Sequence, residues 1–340
     1  MSASHRHGQP EMTMSVGGHA SAAATGVRVG AFGKTPRQAD FLYYGPADAD
    51  IQAFHKWLED GVSWVAARTP ELWPQLRAEP PVCGFVFRAP GGSLLVGALR
   101  PSSDAVGRDF PLSAYVVLPA AGLANQPHVL PLWLGELLQH AAGAILASDV
   151  QGALAQLEAT LAGGTLLPLA GLQQDARDYA EWVNTTELTA AFDALFGEEA
   201  RASAIQALHT IQEAISPFRG KERPKTPLSV CVPLGVSGAG AAAFWIDVVR
   251  RAAGWRDTVP TFFWSSREDG GEAIVQLGDV PASSLPALWH VGARNDHVCD
   301  LTRLAPEEAP KFWPLLPPAV AAVLTRPDAR VIDLLNALQS

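Results

Sequence analysis

Residues 99–112 read LRPSSDAVGRDFPL, and this stretch decides how the chain is organised. Between two apolar runs it places serine hydroxyls, the carboxylates Asp104 and Asp109, the guanidinium of Arg108, and Gly107. A glycine supplies backbone angles closed to other residues, and a proline holds the residue before it extended. Asp104 is placed to accept from backbone amides a few residues on, as turn aspartates do. The expected result is a stiff loop between two strands. A second loop of the same kind lies upstream at residues 30–41, GAFGKTPRQADF, with Lys34, Pro36 and Asp40 between apolar residues.

Working outward, residues 82–87, 93–99 and 112–118 have strand character, and Pro90, Gly91 and Gly92 join the first two. These segments predict an antiparallel meander. Residues 27–32 form a short apolar run bounded by glycine, a first strand. Ile51, Phe54, Trp57, Leu58, Val62 and Val65 recur at helical spacing over residues 48–68. Residues 131–146 and 150–161 read as two helices covering one face of the sheet. The order predicts an α+β fold, a largely antiparallel sheet flanked by helices.

A second α/β region follows Gly163 and Gly164. Residues 175–183 and 187–215 read as helical, and residues 216–227, rich in proline and cations, as an exposed linker. A strand at 228–233, a helix at 241–253, strands at 261–264 and 273–277, and a closing helix at 331–338 complete it. Three units are expected: a disordered leader at 1–26, a first domain at 27–165, and the remainder at 166–340. The leader lacks an apolar period and holds Met1, Met12 and Met14, so translation could begin at either of the latter two.

Composition narrows the function classes. The 340 residues are 48% hydrophobic and 17% charged, with 25 Lys and Arg against 34 Asp and Glu, a formal charge of -9. Nucleic-acid binders carry a basic face, which this balance argues against. No run of apolar residues is long enough to span a membrane and no secretory pattern opens the chain, so a cytoplasmic protein is expected. Cys83, Cys231 and Cys299 share no metal-ligand spacing and read as buried, reduced thiols.

The spacing GxFGKxPxxxDF, followed by PSxDxVGRxFPL, resembles the TagF family, also called ImpM. Phe32, Gly33, Lys34, Pro36, Asp40 and Phe41 match the first motif. Pro101, Ser102, Asp104, Val106, Gly107, Arg108, Phe110, Pro111 and Leu112 match the second. Ala39 stands where the family usually has glycine, and Asp109 where it prefers an aromatic. The resemblance covers about residues 30–119 and implies an accessory regulator of bacterial type VI secretion. Such a protein restrains secretion after translation by binding other components, with the forkhead-associated scaffold as the usual partner, and performs no turnover.

From the residues themselves, Lys34, Asp40, Ser102, Asp104 and Arg108 are expected to gather into one polar cluster. Three readings of that cluster stay open. It is a pin between two loops, as buried ion networks can be. Or Lys34, Ser102 and Arg108 face outward as an anion or partner surface. Or Asp40 or Asp104 acts as a base beside a stabilising cation, in a small-ligand or phosphoester enzyme. No histidine or cysteine lies near either motif, so no enzyme is expected.

Elsewhere, Gly235, Gly238 and Gly240 precede a helix in the context of a phosphate-binding turn. Their spacing is GxxGxG, however, and no GK[ST] follows, so an ordinary strand-to-helix turn is expected. His290, His297 and Cys299 could supply zinc ligands, but their apolar neighbours favour packing. No cofactor or metal is expected.

Overall fold

The computed structural model describes residues 27–265, 271–294 and 296–339. The expected disordered leader, with its methionines, lies outside the described residues. Among the described residues one sheet of nine strands runs in the order β2-β1-β5-β4-β3-β7-β8-β6-β9. In chain order these are β1 (Arg28–Gly33), β2 (Leu42–Tyr44), β3 (Cys83–Arg88), β4 (Ser93–Arg100), β5 (Leu112–Pro119), β6 (Ser229–Gly235), β7 (Phe262–Ser265), β8 (Gly271–Gln276) and β9 (Val298–Asp300). Every pairing is antiparallel except β6 with β9. The fold is α+β.

Thirteen α-helices accompany the sheet among the described residues. They are α1 (Ala49–Arg68), α2 (Leu72–Ala78), α3 (Leu130–Trp133), α4 (Gly135–Leu146), α5 (Val150–Ala162), α6 (Leu169–Thr185), α7 (Leu188–Phe196), α8 (Ala200–Ile215) and α9 (Ala239–Ala253), then α10 (Ser284–Ala287), α11 (Ala309–Phe312), α12 (Pro318–Leu324) and α13 (Val331–Ala337).

Alternation along the strands sorts side chains between two cores. On β5, Ala114, Val116 and Leu118 join Val96 and Ala98 beneath α4 to α9. Tyr115 and Val117 point the other way, with Phe85, Phe87 and Leu95, against α1 and α2. Because both faces are covered, β5 is buried from Leu112 to Leu118 and is apolar along that length except at Ser113. The meander of β3, β4 and β5 stands where its turn residues predict it.

The two halves expected as separate units share this sheet. Antiparallel pairing of Phe85 with Phe263 and Val86 with Phe262 carries the sheet from β3 into β7. Across the same seam Trp57 of α1 donates to the Pro281 carbonyl at 3.1 Å and stacks on Phe263. Nor is the 216–227 segment a free connector. Arg223 donates to the carbonyls of Gln276, Leu277 and Gly278, and Pro224 is buried. Arg223 anchors the segment at the end of β8, while Arg219, Lys221 and Lys225 are exposed.

Helix ends also differ from the periodicity. The expected 131–146 helix is broken at Leu134 into α3 and α4, with a 3-10 turn at Pro127–Val129 ahead of them, and the expected 187–215 helix is divided at Gly197 into α7 and α8. No single helix among the described residues is long and apolar enough to cross a membrane.

Candidate functional site

The two motif loops meet at the end of the sheet where β1 and β5 pair. Phe32 lies opposite Ser113, whose hydroxyl donates to the Phe32 carbonyl at 2.9 Å. At the next residue the strands approach so closely that a Cβ on Gly33 would overlap the Pro111 carbonyl oxygen, and its φ is +141°. A glycine is required there on both counts. The chain then turns Lys34 inward.

Lys34 is buried, and its Nζ lies 3.0 Å from Asp104 Oδ2 and 5.0 Å above the Phe41 ring. Asp104 accepts three further bonds, from the Val106 amide at 3.1 Å, the Arg108 amide at 2.8 Å and Arg108 Nε at 2.6 Å. Burial alone would raise the Asp104 carboxyl. The Arg108 amide, the Lys34 and Arg108 cations and the Val106 amide outweigh it and hold the group well below the usual carboxylate range. The carboxylate is fixed in its charged form.

Around Asp104 the second loop closes as a small hairpin. Its amide donates to the Arg108 carbonyl, Phe110 donates back to Ser102, and Ser103 bridges Asp109. Gly107 takes φ +86° at the tip, with open space around it. Arg108 Nη2 then reaches the Ala39 carbonyl at 2.5 Å, and the Ala105 amide reaches Gln38 at 3.0 Å. Phe110 seats its ring edge-on against Phe32 and Phe41. The result is a single rigid corner built from both motifs.

Of the five residues expected in the cluster, Lys34, Asp104 and Arg108 bond directly. Ser102 is buried nearby, but its hydroxyl has no partner among the described residues. Asp40 is exposed and makes no ion pair or hydrogen bond among the described residues; the Ala39 carbonyl beside it takes the arginine instead. Lys34 and Ser102 do not face outward, so the outward surface is made of other groups. Arg108 keeps 60% of its side chain exposed, Val106 is 67% exposed at the loop tip, and Tyr43 is 65% exposed beside Phe41. Pro36 is also exposed. Asp109 pairs with Arg77 of α2 at 3.3 Å, and burial pushes its carboxyl up.

Residues 30–163 match the family model of the TagF N-terminal domain, described as type VI secretion system-associated. The chain carries a TagF N-terminal domain. The match runs from β1 to just past α5 and contains the whole corner. Residues 164–340 lie outside it, although β6 to β9 continue the TagF sheet. The crystal structure of PA0076 from Pseudomonas aeruginosa PAO1 is similar at 25% sequence identity, with a TM-score of 0.30. That similarity covers 38% of this chain and 62% of PA0076. No curated protein matches.

Sequence reasoning missed two features. Arg100 stands inside the motif stretch, yet its position at the end of β4 only becomes informative once its surroundings are known. Asp247 on α9 is fully buried and meets Arg250, Arg251 and the Tyr179 hydroxyl. The spacing of Asp247 to its arginines, three and four residues on, was the available signal. Among the described residues no group of three or more His, Cys, Asp and Glu side chains is arranged to hold a metal ion.

Proposed function

We propose that this type VI secretion-associated protein is a cytoplasmic regulator that acts after translation by binding another secretion component, without turnover. The forkhead-associated scaffold of the system is the partner that the TagF resemblance implies. The docking face is the outside of the motif corner, formed by Val106, Arg108, Asp40 and Tyr43.

One observation carries this reading: an apolar residue, Val106, is held 67% exposed at the tip of a loop that is otherwise bonded inward. A loop already fixed by its own ion pairs and amide bonds loses little conformational freedom on association. Val106 and Tyr43 offer apolar area, and Arg108 has donors left for a carboxylate on the partner. Asp104 supports the absence of turnover. Four donors occupy it and its proton affinity is low, so it is a poor general base.

The test is recovery of the scaffold by the tagged full-length chain, with overexpression scored for blocked effector release. Val106→Asp and Arg108→Ala are expected to lose scaffold recovery and the block while keeping the wild-type circular dichroism spectrum. Retention of both in a folded double variant removes the corner from the interface.

A further inference from the structure

We propose that the cleft between the first motif loop and the turn from α4 to α5 binds a small ligand through one oxyanion group, with the Arg100 guanidinium as the principal contact. The cleft has a volume of about 330 Å³ and is lined by Thr35, Arg37, Gln38, Arg100, Ser148 and Gln151, among others. That size suits a small metabolite rather than a folded partner.

Arg100 is set apart by what it lacks. Its side chain is partly buried, its Nε is closed off from solvent, and it makes no hydrogen bond or ion pair among the described residues. Of the other partly buried arginines, Arg88 also lacks a side-chain partner among the described residues but has no nitrogen closed off from solvent, and the rest are partnered. Arg223 donates to three carbonyls, Arg250 and Arg251 hold Asp247, and Arg294 pairs with Asp300. A guanidinium withdrawn from water without an acceptor is costly, and an oxyanion offering two oxygens to its planar fork removes that cost. Burial also weakens the hold of Arg100 on its proton, as a missing counter-charge would.

The rest of the lining fits the same ligand. Arg37 is exposed at the rim and unpaired among the described residues. Val150 and Gln151 open α5, a helix of 13 residues, with amides that no preceding helical turn can use. Asp149 opposes an anion, but its carboxylate is engaged as the N-cap of α5 through the Gly152 amide at 3.0 Å. Two arginines against one capped aspartate leave the cleft net positive in a chain of formal charge -9. Neither Arg37 nor Arg100 belongs to the proposed docking face, so the two proposals fail independently.

The shared chemistry is a carboxylate or a phosphate, and calorimetry on the full chain separates them. Inorganic phosphate and succinate are titrated separately at constant ionic strength into wild type, Arg100→Gln, Arg37→Glu and the exposed control Arg177→Gln. One probe is expected to bind the wild type and the control alike, with affinity at least about tenfold weaker in Arg100→Gln. Arg37→Glu, a surface change that leaves the core intact, reads the same loss should Arg100→Gln fold poorly. No binding of either probe to the wild type overturns the proposal, as does equal affinity in Arg37→Glu or in folded Arg100→Gln.

Discussion

Asp104 and Asp247 have side chains equally sealed from solvent, and each faces two cations, yet their cations end in different places. Around Asp247, Arg250 and Arg251 are only 18% and 16% exposed, Tyr179 donates from α6, and Arg251 reaches on to Asn336 of α13. That centre joins three helices and offers nothing to a partner. Around Asp104, Lys34 is buried but Arg108 is 60% exposed, and the loop it rigidifies carries Val106 outward. The same ion chemistry seals one region and presents the other. What distinguishes a pin from a presented surface here is the exposure of the second cation.

The largest effect expected from breaking this pairing is at the sealed centre. Asp247→Ala leaves two partly buried guanidiniums and a buried phenol without their acceptor, and should cost about 3–5 kcal/mol in urea denaturation. Next comes the joint between the motif loops. Gly33→Ala drives a Cβ into the Pro111 carbonyl and should cost about 2–3 kcal/mol. Gly107→Ala meets open space and should lose only the left-handed preference, about 1–2 kcal/mol.

Acid should separate the groups by pH window. Burial lowers His128 from 6.5 to about 4, so protonation favours the unfolded chain. Stability is complete above pH 6.5 and falls as pH drops toward 4, by up to about 1.4 kcal/mol per pH unit for this group. Burial lowers His55 to about 4 as well, and it adds loss in the same window. Asp104 and Asp247 are both depressed, because backbone amide bonds and neighbouring cations outweigh burial at Asp104 and neighbouring positive charge does so at Asp247, so their contributions persist above the unfolded carboxylate value near 4. They are lost only below it. Denaturation at stepped pH should show His128→Gln flattening the upper window and Asp104→Asn the lower one.

The smallest effect on stability belongs to Val106→Asp. It replaces an exposed side chain and should shift stability by no more than about 0.5 kcal/mol, read by thermal melting.

How much of this was legible in the sequence depended on the range of the signal. The β3 to β5 meander announced itself through Pro90, Gly91 and Gly92 between apolar runs, and α1 through the spacing of Ile51, Phe54 and Leu58. Lys34, Asp104 and Arg108 were readable as chemistry in stiff loops. The seam of β3 with β7 was not, because nothing local in FFWS names a partner far away in the chain. Arg223 was read as a solvated linker charge, yet a guanidinium with carbonyls within reach docks instead. Asp40 and the Ala39 carbonyl offer Arg108 competing acceptors one residue apart, a choice that only backbone geometry decides.

The most direct test of the comparison is calorimetric binding of the purified chain to the forkhead-associated scaffold, measured for Val106→Asp and for Asp247→Asn at a temperature where both are folded. The account predicts at least about a tenfold loss of affinity for Val106→Asp, with wild-type affinity for Asp247→Asn despite its lower stability. Wild-type affinity in folded Val106→Asp would contradict it.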